Sequence, residues 1–308
     1  MIDLSYRPRL TDLQPLTRSN FGLQLFEPEG VRTSEAGAFR GREGYDEDFL
    51  PGFGVPMPDT TAIAGDVLPV PESDGSRLDY EHFSILMSKS RRLALFTAVN
   101  IDGSASVSVP RGGDPWAFDG RIPKEAQAGD ELYADNDFDR GHLVRREDPN
   151  WGPTANEANR DTFHFTNCAP QLSVFNQRSW LSLEDYILST TRRVGERAIV
   201  FTGPVFRPDD PLYRGVAIPL AYWKVVAFIH DDGRPSASAY LIDHDVDLDA
   251  HSLLFGAFKT YQRSVLSIEG LTNLDFGLLR QFDGFSNEET ATGDMVRALI
   301  TKAEDIRL

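Results

Sequence analysis

Three side chains in the middle of the chain could together perform hydrolytic chemistry: His142, Asn176 and Glu184. An imidazole titrates near neutral pH and can accept a proton from water, so His142 is a candidate general base. The side chains of Asn176 and Glu184 end in oxygen atoms, the ligands that a hard cation such as Mg²⁺ prefers. One base and one such cation are the minimum equipment for hydrolysing a phosphodiester bond, because the cation stabilises charge on the phosphate and on the leaving oxygen.

A helix predicted from residue 178 to about residue 193 would carry one of these ligands. It has an apolar stripe at three- and four-residue spacing, formed by Trp180, Leu183 and Ile187. Glu184 lies about two helical turns beyond Asn176, so it projects on broadly the same side. Two simpler interpretations stay open: Asn176 as the cap of this helix and Glu184 as a solvated surface residue.

Several apolar runs predict the sheet that must support this site. Buried strands are expected at residues 91–101, 198–203, 221–229 and 237–242. The last two are expected to pair across a turn at residues 231–233. Further helices are predicted at residues 251–262 and from about residue 287 to residue 306. The predicted fold class is α+β, with a mostly antiparallel central sheet and flanking helices.

The composition is that of an ordinary globular protein. The chain has 308 residues, of which 41% are hydrophobic and 25% charged. No apolar run is long enough for a transmembrane helix, so no membrane association is expected. The N-terminus does not read as a secretory signal, and the lone Cys168 suits a reducing compartment. These features predict a cytoplasmic protein.

Two other metal sites and a thiol nucleophile can be weighed against the first interpretation. A calcium loop starting at Asp135 would need glycine and glutamate where the chain has Arg140 and Arg146. A zinc site at His142, His164 and Cys168 lacks paired ligand spacing. Cys168 shows no other feature of a nucleophile and is expected to be a small buried residue.

The motifs, in their order, resemble the DNA/RNA non-specific endonucleases, the ββα-metal family that includes endonuclease G. The resemblance rests on DFDRGHLVRREDPNWG (137–152), ANRDTFHFTNCAPQLSVFNQRSWLSLEDYI (158–187), TGPVF (202–206) and IPLAYWKVVAF (218–228), and upstream on residues 78–103. It spans roughly residues 78–280. It implies a ββα-metal nuclease fold and a metal-dependent endonuclease that hydrolyses phosphodiester bonds of DNA and RNA.

The resemblance also implies roles for individual residues. His142 would activate the attacking water, Asn176 would bind the metal directly, and Glu184 would act through metal-bound water. The implied metal is Mg²⁺, with Mn²⁺ as an alternative. Asp139 would orient or anchor its segment, while Arg140 would either pair with a carboxylate or contact phosphate.

Residues around this centre are expected to serve the substrate and the metal's waters. Asn167 and Gln171 match an N-x-x-P-Q pattern of the family and would hold the metal waters or the loop. Several relatives place an arginine where this chain has Leu188. Arg178 or Arg192 could compensate. An upstream arginine is also expected, and the sequence leaves Arg111 and Arg121 open for that role.

The net charge of −16 is unfavourable for a protein that binds a polyanion. Arginines clustered near the motifs would offset it locally, which predicts modest affinity through the phosphate backbone and strong salt sensitivity. A catalytically inactive interaction module on a nuclease scaffold is the alternative function. A homodimer and an inhibiting or activating partner are further expectations.

The predicted domain organisation has three parts: an N-terminal extension or arm (1–47), the endonuclease domain (48–280) and a C-terminal helical segment packed on the core (281–308). Two roles stay open for the extension. It would steady the core as an arm or dimer contact, or its acidic residues between 27 and 48 would compete with phosphate and restrain the enzyme.

Overall fold

The apolar runs of the sequence form an antiparallel sheet of eight strands. The computed structural model describes residues 31–71, 73, 75–136, 138–172, 196–230, 232–244, 258–302 and 305–307. Along the chain, the strands in this part are β1 (Thr33–Ser34), β2 (Arg77–Tyr80), β3 (Phe83–Met87), β4 (Ala94–Asp102), β5 (Phe118–Asp119), β6 (Phe138–His142), β7 (Cys168–Leu172), β8 (Arg197–Val205), β9 (Leu212–Tyr213), β10 (Val216–Ala217), β11 (Ala221–Ile229), β12 (Pro235–His244), β13 (Phe258–Arg263) and β14 (Ala298–Ile300). The main sheet has the order β14-β13-β12-β11-β8-β4-β3-β2.

Short helices surround the sheet. The α-helices among the described residues are α1 (Asp130–Tyr133), α2 (Ala155–Asp161), α3 (Val265–Thr272) and α4 (Gly284–Thr292). Short 3₁₀ segments occur at Ala36–Phe39, Thr61–Asp66, Lys124–Ala126, Phe165–Asn167 and Gly277–Phe282. The predicted α+β class is therefore confirmed.

The four predicted strands are confirmed as β4, β8, β11 and β12, which lie side by side at the centre of the sheet. β11 and β12 pair antiparallel from Ala221 opposite Asp243 to Ile229 opposite Pro235. The turn between them closes with Gly233 at φ 82°, a left-handed conformation that favours glycine. The turn residues and the apolar runs thus predict the same hairpin that the structure contains.

The two faces of the sheet are covered by different parts of the chain. On β11, Tyr222 and Val226 face a core that includes Leu143 and Ala169 of the motif region. Trp223 and Val225 face the opposite core, which contains residues of α3. Because strand neighbours point to opposite faces, β11 separates the motif side of the molecule from the α3 side.

Two predicted helices are wrong in part. Residues 258–262, the described end of the helix predicted at 251–262, belong to β13, which pairs with β12. The C-terminal helix α4 ends at Thr292, where Gly293 adopts φ 76°, and residues 298–300 form the edge strand β14 instead. In both places a strand partner outweighs local helix propensity, and Gly293 is a helix stop that the prediction passed over.

The described part of the predicted extension packs on the core. Residues from Val31 onward belong to one compact unit. Phe39 and Tyr45 are both buried in it. The boundaries predicted after residues 47 and 280 stay predictions, as does the cytoplasmic location. In the part of the chain that the structure covers, no helix has the length and apolarity needed to cross a membrane.

Candidate functional site

A two-stranded antiparallel ribbon, β6 with β7, brings the two motif stretches together. His142 lies opposite Cys168, and Asp139 lies opposite Gln171. Cross-strand partners share a face and strand neighbours alternate, so Asp139 and Gln171 point to one face of the ribbon and His142 to the other. The ribbon therefore places the candidate base at the end of β6.

Gly141 is a glycine because the side chain of Gln171 lies directly over it. A Cβ atom built at position 141 would come within 2.1 Å of Gln171 Cδ, a distance that atoms cannot adopt. Gln171 is buried, and its Oε1 and Nε2 atoms have no hydrogen-bond partner among the described residues. The missing side chain at Gly141 thus leaves room for the Gln171 amide, a buried polar group without hydrogen-bond partners among the described residues.

Two aromatic rings enclose His142. Its ring centroid lies 4.8 Å from that of Trp116 and 5.1 Å from that of Phe163, which it meets edge-on. The His142 Nε2 atom is buried and has no hydrogen-bond partner among the described residues. This burial lowers the pKa of His142 to about 4. The imidazole is therefore neutral at neutral pH, and a neutral imidazole is the form that can accept a proton.

Three charged residues act on the same imidazole. Asp114 raises the pKa of His142, whereas Arg146 and Arg111 lower it. The Arg146 guanidinium donates to Val109 O at 3.1 Å and to Glu147 Oε1 at 2.7 Å. Arg146 is therefore already engaged with the protein, and its positive charge helps to keep His142 neutral.

The two upstream arginines between which the sequence did not decide, Arg111 and Arg121, differ in their exposure. The Arg111 side chain is 73% exposed and forms an ion pair with Asp114 at 3.4 Å. Arg121 donates to the fully buried Asp119 carboxylate at 2.7 Å and lies over the rings of Phe39 and Tyr80. Of these two, only Arg111 presents its guanidinium to solvent near His142.

Arg140 and Asp139 have different surroundings. Arg140 forms an ion pair with Asp130 on α1 and lies 5.3 Å from the centre of the Tyr133 ring. Two roles were considered for Arg140, and the structure shows one of the contacts, the ion pair with a carboxylate. Asp139 and His142 lie on the same strand but on opposite faces of the ribbon, so their side chains point away from each other.

Asn167 lies inside the protein and holds the backbone that follows His142. It is fully buried, and its Oδ1 accepts from Val144 N at 2.9 Å. Its Nδ2 donates to Val144 O and to Thr162 O, both at 3.0 Å. The side chain is fully buried and these bonds tie it to the backbone that follows His142, while its role in the activity stays a prediction.

The expectation for Cys168 is confirmed. The thiol is buried, lies 3.3 Å from the Tyr133 hydroxyl, and has its pKa raised by burial to about 12. A thiol with such a pKa is protonated at neutral pH and is a poor nucleophile.

Several predicted site residues fall outside the described part of the chain. These are Asn176, Arg178 and Glu184, together with the helix predicted at residues 178–193 and the alternative Arg192. Their roles therefore stay predictions. The described strand β7 ends at Leu172, immediately before this stretch.

The ribbon carries two buried polar groups that bear on the predicted divalent cation. Within the described ranges, no three His, Cys, Asp or Glu side chains cluster as a metal site. The buried amide of Gln171 and the buried Nε2 of His142 nevertheless lack hydrogen-bond partners there. Each of these groups can hydrogen-bond to a water of a hydrated Mg²⁺, but the two side chains lie on opposite faces of the ribbon. The oxygen donors predicted for this cation, Asn176 and Glu184, lie outside the described residues.

Sequence reasoning missed Trp116 and Phe163 as parts of the site. Both lie far from His142 along the chain, and no spacing rule connects them to it. Their contact depends on the pairing of Ala117 with the segment 163–165, where Ala117 N donates to Phe163 O and Phe165 N donates to Ala117 O, each at 3.0 Å. Such long-range pairing leaves no local signal in a single sequence.

Comparisons with known proteins agree with this picture of the fold. Residues 65–279 match the family model described as DNA/RNA non-specific endonuclease. An uncharacterized protein of Sinorhizobium fredii is 43% identical over 74% of this chain and 37% of its own length. Mitochondrial endonuclease G of Bos taurus is 33% identical over 36% of this chain and 40% of its own length. The chain thus covers less than half of each of these two relatives.

In two further comparisons the match covers more than two thirds of the other protein. A nuclease of Syncephalastrum racemosum is 30% identical over 67% of this chain and 69% of its own length. The solved structure of an EndoG/EndoGI complex matches with a TM-score of 0.52 and 17% identity, over 66% of this chain and 86% of that one. This last similarity concerns the fold alone.

Proposed function

Because the chain belongs to the DNA/RNA non-specific endonuclease family, we propose that it is a metal-dependent endonuclease that hydrolyses phosphodiester bonds of DNA and RNA. The observation that carries this proposal is the neutral imidazole of His142, enclosed by Trp116 and Phe163 with its Nε2 atom unpartnered among the described residues. An enclosed acceptor of this kind suits proton abstraction from a water molecule.

His142 is the general base in this proposal. Its pKa of about 4 makes it a weak base in the free protein. The positive charges of Arg111 and Arg146 contribute to that low pKa. A phosphate bound beside them would offset those charges and raise the pKa of His142. The base would thus become stronger when substrate is present, which is when it has to accept a proton.

Asn176 and Glu184 would hold the divalent cation, Asn176 directly and Glu184 through water. The cation, Mg²⁺ or alternatively Mn²⁺, would stabilise negative charge on the phosphate and on the departing oxygen. A neutral amide ligand leaves the charge of the cation uncancelled. Gln171 would hold waters of this centre with its buried amide, and Asp139 would anchor the ribbon.

Arg111 is proposed as the upstream residue that contacts phosphate. Its guanidinium is exposed, close enough to His142 to affect its pKa, and engaged with a carboxylate that is itself partly exposed. Arg178, on the stretch beyond β7, is proposed as a second phosphate contact. Arginine contacts to the backbone carry no sequence information, so cleavage is expected with little base preference.

Asn167 and Arg140 are proposed as positioning residues. Asn167 holds residues 143 and 144 directly after the base. Arg140 ties the ribbon to α1 through Asp130. A homodimer and a partner that inhibits or activates the enzyme stay proposals for this chain, and the oligomeric state can be measured by light scattering.

Cleavage of supercoiled plasmid and of a structured RNA tests the proposed activity. We expect nicking of both in Mg²⁺, no cleavage in EDTA, and recovery when excess Mg²⁺ or Mn²⁺ is restored. Asn176→Ala should raise the Mg²⁺ concentration for half-maximal rate more steeply than Glu184→Ala, because Glu184 acts through water. Identical Mg²⁺ titrations for wild type and Asn176→Ala would contradict the ligand assignment.

The alternative function is a catalytically inactive interaction module on the same scaffold. It predicts nucleic-acid binding, or neither binding nor cleavage, in every metal tested. Absence of cleavage by folded protein with either cation, on both substrates, would favour this alternative over the endonuclease.

A further inference from the structure

Residues 31–40, here called the N-terminal clasp, lie before the stretch that matches the family model. They nevertheless contact the segments next to Trp116 and Phe163, the two residues whose rings lie against His142. Strand β1 pairs in parallel with β5, with Thr33 opposite Phe118 and Ser34 opposite Asp119. Two backbone bonds fix this pairing: Phe118 N donates to Arg32 O and Gly120 N donates to Ser34 O, each at 2.9 Å. The clasp thus occupies one edge of β5.

The other edge of this segment pairs with residues 163–165, which include Phe163, one of the two rings that lie against His142. Ala117 N donates to Phe163 O, whereas the next amide, Phe118 N, donates to the clasp. Successive amides of an extended chain point in opposite directions, so the segment 117–119 is held between the clasp and residues 163–165. Trp116 precedes this segment directly, and its ring lies 5.5 Å from that of Phe163.

Side chains of the clasp reinforce the backbone pairing. The Phe39 ring is 7% exposed and lies 5.3 Å from Tyr80 and 5.1 Å from His164, measured between ring centroids. His164 Nδ1 lies 2.9 Å from Asp161 O, so Nδ1 carries the proton and Nε2 accepts from Ser34 Oγ, also at 2.9 Å. His164 therefore connects the clasp to the segment 163–165, which contains Phe163.

We propose that the N-terminal clasp is a positioning segment for the general base: by bracing the segment 117–119, it holds Trp116 and Phe163 against His142. The assignment of His142 as the base rests on the proposed function. The backbone of the clasp pairs with one edge of the segment 117–119 and residues 163–165 pair with the other edge, while Ser34 and Phe39 also contact His164 directly, so the clasp supports both segments. Weakening the clasp should therefore slow cleavage, the opposite of what a restraining extension would do.

Two phenylalanines of equal exposure offer a matched experiment in the full-length protein. Phe39 lies in the clasp, and Phe49, also 7% exposed, packs beside Trp151 in the core on the other face of the sheet. Phe39→Leu removes ring contacts to Tyr80 and His164, whereas Phe49→Leu makes a similar cavity away from β5. Hydrogen exchange of residues 116–120 and 163–165, together with kcat and KM on plasmid DNA, is measured for both variants.

For Phe39→Leu we expect faster exchange in both segments and a kcat lowered roughly tenfold, since small misplacements of catalytic groups have effects of this size or larger. KM should change much less, because the substituted Phe39 side chain is buried in the protein. Phe49→Leu should leave exchange in these segments and kcat as in wild type. Unchanged exchange and unchanged kcat in Phe39→Leu, or equal losses of kcat in both variants, would overturn the proposal.

Ser34→Ala is the second variant and applies if Phe39→Leu does not fold. It removes the hydrogen bond to His164 from a partly exposed position, and it should raise exchange at residues 163–165 with a smaller loss of kcat. Exchange and rate both equal to wild type would reject the clasp as a positioning segment. Hydrogen exchange does not depend on activity. An inactive but folded wild type would therefore reject the proposed endonuclease, whereas the exchange rates of residues 116–120 and 163–165 would still show whether the clasp supports these segments.

Discussion

The stretches on either side of Trp116 have opposite environments although each contains an arginine five residues away. Before Trp116, Arg111 is largely exposed and its ion-pair partner Asp114 is only partly buried. After Trp116, Arg121 is enclosed by Asp119, Phe39 and Tyr80. Since the residue type is the same, the difference shows that its neighbours decide whether a guanidinium is available to a phosphate or committed to the fold.

His142 lies where these two stretches meet, and its replacement should have the largest effect. We expect His142→Ala to lower the cleavage rate by about 10²–10⁴, the usual effect of losing a general base. Metal binding and thermal unfolding should stay close to those of wild type. A purified variant that keeps more than about a tenth of wild-type activity would remove His142 from the mechanism.

Arg121→Ala should mainly destabilise the protein, because it leaves the buried Asp119 carboxylate without its cation. Breaking a buried ion pair in this way costs about 3–5 kcal/mol in the free energy of unfolding. Chemical denaturation measures this loss, and Arg121→Lys is the control that keeps the charge but not the paired hydrogen bonds. Stability equal to that of wild type would contradict a structural role for Arg121.

Arg111→Ala should show the reverse behaviour. We expect a change in unfolding free energy below about 0.5 kcal/mol, as for most exposed positions. KM for DNA should rise roughly tenfold, and the salt dependence of binding should weaken by the equivalent of about one phosphate contact. Arg111→Lys should recover part of the affinity. A KM unchanged from wild type would show that Arg111 is exposed without serving the substrate.

The sequence predicted the centre of the sheet well, because β4, β8, β11 and β12 are apolar runs bounded by turn residues. It failed at residues 258–262 and after Gly293, where pairing with a neighbouring strand decides the structure. Local pattern carries no information about which strand will lie next to a segment, so strands that depend on such a partner are hard to predict.

The candidate site divides in the same way. The family resemblance singled out His142 and Gln171, and the structure places both on the same two-stranded ribbon. The motifs could not distinguish Arg111 from Arg121, nor show that Asn167 is fully buried, because both depend on contacts made by distant parts of the chain. Trp116 and Phe163 reach His142 only through the pairing of residues 117 and 163–165, which the clasp supports from the other side.

The central claim is that His142 is a neutral proton acceptor with a buried Nε2 atom, and its titration followed by NMR tests this most directly. The resonance is assigned by its loss in His142→Ala. Burial lowers the pKa of His142 to about 4 in the folded protein, below the value of about 6.5 for an unfolded chain. The unfolded state then binds more protons between these two values, so the contribution of His142 to stability is complete above about pH 6.5 and is lost as the pH falls toward 4. A titration midpoint near 4 that moves upward when a phosphodiester analogue binds is the predicted result. A midpoint at 6.5 or above in the free protein would contradict the enclosed base on which the account depends.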